Sequence, residues 1–403
     1  MAFAAATVAF VNDWGYLNSS LLSIISGMEL IFIPILSFLF FGIITRLLAQ
    51  RYKRNVIVWP IIGAFLGVSV LYPFRTYKIS RLNPELGNNL SNSSIIMSKE
   101  IVIPGHPDAY NPSIISYKDG YLLSFRIRYH DIPSYIQKVC NVRTSYLGLV
   151  KLNRKLEICS EPYLLDIKSY SDHSSSSAQD ARLFTFGEKI LLFFNDYGIT
   201  YDRMCCSLYV AELTENNGKL QPEKRATLLS YENMRSTEKN WIPFSSNDKL
   251  YLIYSSEPHL ILEPNLQTGQ CQEIASTATN SPWKWGEIRG GTPAQLIDGN
   301  LLTFFHSSQK VRSSTIFGEK GGRNYAMGAY LFENNVPFAI NKITSLPLGT
   351  LDDYARNNRR KVVFPAGIAI DDNLIHIVWG KNDEGICITS LDKEKLLASM
   401  VPL

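Results

Sequence analysis

The first 45 residues contain no lysine or arginine, so the chain lacks the basic n-region of a cleaved signal peptide. From residue 100 onward helical periodicity is scarce, which leaves strands to build the globular part. No stripe of lysine or arginine interleaves with aromatics, and the formal net charge of +4 is thinly spread; nucleic acid is thereby set aside as a partner. The six cysteines, at 140, 159, 205, 206, 271 and 387, show no zinc-type spacing. Cys205 and Cys206 are adjacent and poorly placed to pair with each other, which leaves the redox compartment open. "GEKGGR" at 318–323 lacks the strand-to-helix context of a phosphate loop. "SDHSSSS" at 171–177 sets Asp, His and Ser side by side, but triads assemble from distant segments and serine-rich runs are usually loops.

What is present is a chain of 403 residues, 46% hydrophobic and 12% aromatic, enough to fill the core of one large all-β domain or two average ones. Its amino-terminal part differs in kind from the rest. Residues 56–74 are nineteen uncharged, mostly apolar residues, the length that spans a bilayer core as a helix. Residues 30–45 are also apolar and uncharged, and the run extends upstream to about 21 if Glu29 is tolerated near an interface. The reading is a membrane region over 1–80 with a transmembrane helical hairpin, its helices at about 21–48 and 56–74. A helical hairpin buried in a soluble protein fits the length of the second run less well. Arg46, Arg51, Lys53 and Arg54 crowd the connection, which puts that turn in the cytoplasm and both ends of a two-pass protein outside. Arg75, Lys78 and Arg81 after the second span narrow the margin of that orientation. A globular part on the extracytoplasmic or lumenal side follows, joined by a polar linker over 81–100 that contains "NPELGNNLSNSS".

Residues 101–403 repeat one unit. "PSIISYKDGYLLSFR" from Pro112, "DARLFTFGEKILLFF" from Asp180, "NWIPFSSNDKLYLIY" from Asn240, "GTPAQLIDGNLLTFF" from Gly291 and "FPAGIAIDDNLIHIV" from Phe364 each run strand, turn of Gly, Asp or Asn, strand. The anchors lie 68, 60, 51 and 73 residues apart, room for a four-stranded antiparallel sheet per unit. Radial repetition of such sheets is a β-propeller, here all-β and five-bladed. A double-sheet sandwich needs a similar strand count but not the recurring hairpin.

Innermost propeller strands start around the axis, so the anchors predict what converges there: Asn111, Asp180 with Arg182, Glu238, Lys239, Asn240 and Trp241, Arg289 with Gly290 and Gly291, and residues 364–367. The second strands end in Arg126, Asn195 with Asp196, His306 and Asp383. Carboxylates, cations and aromatic faces together suit sugar chemistry, with cations available for a phosphate. Each has a plainer reading. Asp180 could pair with Arg182, Lys239 and Arg289 could be solvated rim charges, Trp241 could be a packing residue, and His306 a hydrogen-bonded core histidine.

With these residues laid out, the chain resembles glycoside hydrolase family 130, the five-bladed propellers that include mannoside phosphorylases and β-mannosidases, and the related propeller mannosyltransferases. The pieces that carry the resemblance are "NPSII…LLSFR", "DARLF", "EKNWIPF", "RGGTPA…FFHS", "YAMGAYLFENNVPF" and "VVFPAGI…WGKND", in the family's order over roughly 105–390. The resemblance implies an inverting enzyme that moves a mannosyl unit between a β-mannoside and phosphate; the membrane anchor, read from the apolar runs, lies outside it. Asp180 falls on the family's general acid, which protonates the glycosidic oxygen through a hydroxyl of the mannosyl ring. Arg182, Lys239, Asn240, Arg289 and His306 fall on the phosphate side, and Asn111, Arg126, Glu238, Trp241 and Asp383 on the sugar side. No cofactor or metal is implied beyond inorganic phosphate or a sugar phosphate as co-substrate; the expected partners are a glycan and the membrane. Three positions depart from the family's pattern. Lys239 stands where an arginine is usual, keeping charge but losing the bidentate fork, Thr292-Pro293 stands for a double proline, and Phe305 for a tyrosine. A β-mannoside hydrolase is the alternative, with Glu238 the nearest second carboxylate, and a non-catalytic glycan-binding propeller is the third class.

Overall fold

The computed structural model describes residues 42–51, 58–59, 61–62, 93–128, 145–168, 177–200, 203–232, 235, 237–315, 318–349 and 362–403. The chain divides into two compact units, Met1–Pro84 with Lys310–Gly322, and Glu85–Gln309 with Arg323–Leu403. In the first, residues 42–51 are helical. Among the described residues no helix is long and apolar enough to cross a membrane; the spans expected at about 21–48 and 56–74 lie for the most part outside those residues.

The second unit is an all-β, five-bladed propeller. Its first strand, β1 (Ile95–Ile101), takes most of the residues that the sequence reading had counted as the end of a linker. Blade one holds β2 (Tyr110–Tyr117), β3 (Gly120–Arg128), β4 (Ser145–Leu152) and β5 (Tyr163–Leu164). Blade two holds β6 (Gln179–Phe186), β7 (Lys189–Thr200), β8 (Arg203–Asn216), β9 (Lys219–Pro222) and β10 (Thr227–Leu228). Blade three is β11 (Ile242–Ser246), β12 (Lys249–Ser256), β13 (His259–Pro264) and β14 (Cys271–Thr277). Blade four is β15 (Glu287–Arg289) and β16 (Gln295–Ile297), both on β17 (Asn300–Thr315), then β18 (Gly318–Glu333) and β19 (Ile340–Thr344). Blade five is β20 (Val363–Asp371), β21 (Leu374–Lys381) and β22 (Gly385–Asp392), and β1 completes it by pairing antiparallel with β22, Ile101 opposite Ile386. The last strand, β23 (Met400–Pro402), adds to β19 at the edge of blade four.

The five repeated hairpins are β2–β3, β6–β7, β11–β12, β16–β17 and β20–β21, the inner pair of each blade. Their turns use residues that tolerate positive φ: Asn247 and Asp248 at 49° and 59°, and Asp298 and Gly299 at 47° and 83°, the two positive angles that a type I′ turn requires. The strands alternate in the sense that both faces of a blade are buried against neighbours, so the core is a set of layers between blades. Ile115, Leu122 and Leu149 of blade one meet Leu183, Leu192 and Phe194 of blade two. Phe184, Leu191 and Phe193 then meet Trp241, Leu250 and Leu262 of blade three, a larger layer joins blades three, four and five around Phe244, Phe304, Tyr330 and Trp379, and Ile114, Leu123 and Phe125 meet Val378, Ile386 and Ile388 across the closure. Each such enclosed side chain contributes about 1.5–3 kcal/mol, and these layers hold the ring together. Among the described cysteines, Cys159 and Cys271 are free thiols.

Candidate functional site at the propeller axis

At the head of three inner strands the ladder carries an extra residue. Pairing jumps from Tyr110 to Ser113 in β2, from Gln179 to Arg182 in β6 and from Pro365 to Gly367 in β20. A bulge of this kind twists the strand and re-aims one side chain. Asn111 and Asp180 are the re-aimed residues of blades one and two, with φ of 45° and 53°, and Asn240, just ahead of β11, matches them at 67°. Asn and Asp enter this left-handed region more readily than other residues with side chains.

The consequence is that three residues from two blades meet. Asn111 Nδ2 donates to Asp180 Oδ1 at 2.9 Å, and Arg126 Nη1 donates to the same oxygen at 2.8 Å. Arg126 is itself fixed, its Nε donating to Ser145 Oγ at 2.8 Å, and Ser145 in turn donating to the Ala178 carbonyl at 2.8 Å. Both bonds to the carboxylate fall on Oδ1, which leaves Oδ2 for a substrate. Burial pushes the Asp180 carboxyl up, but Arg126, then Lys239, the Asn111 amide and Arg182 together hold it below the usual carboxylate range.

Arg182 lies enclosed at 1% exposure. Its Nε donates to the Gly291 carbonyl at 2.6 Å, Nη2 to Asn240 Oδ1 at 3.3 Å and Nη1 to the Asp180 carbonyl at 3.4 Å, with its guanidinium carbon 5.5 Å from the Phe364 ring centre. One side chain thus ties blade two to blades three, four and five, and burial lowers its pKa to about 10. Because Asn240 Oδ1 accepts from Arg182, its amide N–H groups are what remain for a ligand. Gly290 and Gly291 are required by contact: a Cβ on Gly290 would stand 1.8 Å from the Asn240 carbonyl oxygen, and one on Gly291 2.1 Å from that of Phe304.

On blade four His306 pairs in register with Arg289. Its ring stacks 5.7 Å from Tyr325 and meets Phe364 edge-on at 5.0 Å. Burial first, then Arg182 and Arg289, push its pKa down to about 3, against a bond to the Gly290 backbone, so the ring is neutral; Nδ1 is buried without a partner. Arg289 Nη2 donates to Glu287 at 2.9 Å, while its Nε is buried without a partner. Lys239 is half-buried and near enough to act on Asp180. Asp383, at φ 57° in the turn after β21, acts electrostatically on Tyr110.

Two of the sequence candidates are engaged elsewhere. Glu238 is buried, and both its oxygens are occupied: Oε2 accepts from Trp241 Nε1 at 3.0 Å, and Oε1 from Tyr254 hydroxyl at 3.0 Å and from the Arg235 backbone N–H. Trp241 is wholly enclosed, at 0% exposure, and packs edge-on to Tyr254. Neither presents a free face to a sugar. Asn195, in β7, serves the same segment by donating to the Glu238 carbonyl at 2.7 Å. Sequence reasoning did not single out Tyr110, Ser145 or Tyr325. Tyr110 could have been found from its place directly ahead of Asn111, and Tyr325 from "YAMGAY". Among the described residues no three His, Cys, Asp or Glu side chains group as a metal site.

These features define a five-bladed propeller whose inner strand heads form a polar, cation-rich centre around Asp180. No protein-family model matches the chain, and no curated protein matches it. Among solved structures it is similar to a β-1,2-mannobiose phosphorylase from Listeria innocua in complex with β-1,2-mannobiose, at 15% identity over 75% of this chain and 92% of that one, TM-score 0.50. It is similar as well to a mannose phosphorylase from Leishmania mexicana in complex with phosphate ion, at 15% identity over 81% of this chain and 96% of that one, TM-score 0.50. At such identities the likeness shows the fold.

Proposed function

We propose that the chain is a carbohydrate-active enzyme that transfers a mannosyl unit between a β-mannoside and phosphate, with inversion, and that its amino-terminal region anchors it in a membrane. The observation that carries the activity is Asp180: an enclosed carboxylate at the axis, held through one oxygen by Arg126 and Asn111. The solved relatives named above, one a phosphorylase with its mannobiose and one with phosphate, supply the substrate class.

In the transfer direction an acceptor hydroxyl attacks the anomeric carbon of mannose 1-phosphate from the face opposite the phosphate. The new C–O bond forms as the bond to phosphate breaks, and the acceptor's proton passes, through a mannosyl hydroxyl, to Asp180 Oδ2 and finally to the released phosphate. Phosphorolysis is the same path reversed. Lys239, Arg289 and the Asn240 amide receive the phosphate oxygens, charge-assisted bonds being the strong kind. Neutral His306, with one ring nitrogen on the Gly290 backbone, offers Nδ1 to the P–OH of monoprotonated phosphate.

Hydrolysis would need a second carboxylate to activate water. Glu238, the second carboxylate that the sequence offers, has its oxygens taken by Trp241, Tyr254 and the Arg235 N–H, so it is not placed to activate water, which supports phosphate as the attacking species. A purely glycan-binding propeller is the third class, and Asp180 at the position of the family's general acid argues against it. The anchor rests on the apolar runs of the sequence, the two-pass orientation on the basic residues between them, and the propeller would then face the extracytoplasmic or lumenal side.

Incubating the protein with mannose 1-phosphate and a mannoside acceptor should lengthen the acceptor and release phosphate, and added phosphate should reverse the reaction. Release of free mannose at a rate indifferent to phosphate would overturn this in favour of a hydrolase.

A further inference from the structure

Tyr110 is unaccounted for by the chemistry above. It opens β2, pairs with Arg126 one step before the bulge, and is only 2% exposed. The guanidinium carbons of Arg126 and Arg128 lie 4.9 and 5.4 Å from its ring centre. Its phenolic oxygen is buried with no hydrogen-bond partner. Asp180 of blade two and Asp383 of blade five are both near enough to influence its ionisation; burial is the largest influence and keeps the phenol protonated.

A ring kept only for packing over two guanidiniums could be phenylalanine, which would fill the same space without an orphaned oxygen. A buried hydroxyl left unpaired is destabilising, so its retention beside the proposed acid calls for a partner that arrives with the ligand. The charges around it choose that partner. Two guanidiniums and two carboxylates around one phenol balance, so the place suits a neutral hydroxyl better than an anion.

We infer that Tyr110 is a substrate-contacting residue, its phenolic oxygen sharing a hydrogen bond with a hydroxyl of the sugar bound between Asp180 and Asp383. This rests on the reading of the axial centre as a mannosyl site.

The test is Tyr110→Phe in the full chain, which preserves the ring and its contacts with both arginines. With mannose 1-phosphate and acceptor, kcat/KM should fall about tenfold, the size of one neutral hydrogen bond, while the melting temperature stays the same or rises. Monodeoxy mannosyl phosphates should identify the hydroxyl concerned. The analogue lacking it should lose as much with the unaltered protein and nothing further with Tyr110→Phe. If Tyr110→Phe matches the unaltered protein in kcat/KM, if no deoxy position shows this coupling, or if the loss follows a lowered melting temperature, the inference falls alone. An unaltered protein that neither turns over nor binds a mannoside overturns the mannosyl reading and this inference together.

Discussion

Asp180 occupies a backbone angle, φ 53°, that costs most side chains about 1–2 kcal/mol and costs Asp and Asn less. That fact makes a clean substitution available. Asp180→Asn keeps the left-handed angle and the size of the group and can still accept from Arg126, so the fold should persist. What it loses is the proton exchange, and activity should fall by about 10² to 10⁴. Steady-state rates beside a thermal melt check both halves; a variant that turns over normally removes Asp180 from the proposed chemistry. Residue identity at the axis was open to sequence reasoning, since Asp180 and Asn240 open their hairpins; Asn111 stands one residue ahead of the repeat that begins at Pro112, and the bulges put it in register with Asp180. Engagement was not. The carboxylate of Glu238 looked available beside Lys239 and Asn240, and only the fold shows that Tyr254, on the next strand, and the Arg235 N–H take it.

At the scale of elements, the five inner hairpins were legible because strand alternation and turn residues are local signals. The bulges were not, because a two-against-one pairing depends on the partner strand. Nor was β1, whose partner β22 lies nearly the whole chain away and whose residues read locally as the tail of a polar linker. Its burial alternates along Ile95–Ile101, as an outermost strand's should. This separates two truncations. A chain beginning at Glu85 keeps every strand of the propeller unit and should fold, remain active and be released from membranes on fractionation. One beginning at residue 105 lacks β1, leaves the β22 edge unpaired, and should melt lower and aggregate. Equal melting temperatures for the two would mean that the closing strand contributes little.

For the whole molecule, buried histidines set the response to acid. Burial lowers the pKa of His306 to about 3 and of His259 to about 4, and lowers that of His376 as well. Between these values and the ordinary 6.5 the unfolded chain binds protons that the folded one does not. The contribution is therefore complete above about pH 6.5 and shrinks as pH falls toward the folded values, by about 2 kcal/mol each for His306 and His259 at pH 5. Asp180 acts in the same direction but lower: its carboxyl is depressed, so its contribution is lost only as pH falls through the folded value. Thermal midpoints should hold from pH 7.5 to about pH 6.5 and decline from there to pH 5, and His259→Gln, outside the axial residues, should reduce that slope. A midpoint constant over the interval would contradict the burial assigned to these rings.

The tie made by Arg182 reaches beyond the groups it orients. Its guanidinium crosses from blade two to the Gly291 carbonyl and Asn240 and lies over Phe364. Beside it the inner strands approach main chain to main chain, with Gly290 against Asn240 and Gly367 against Ser113 and Ile114. These contacts fill the centre with side chain and main chain on the side of Arg182. On the proposed mannosyl reading, a glycan would then reach Asp180 by its end and be lengthened or shortened by one sugar at a time.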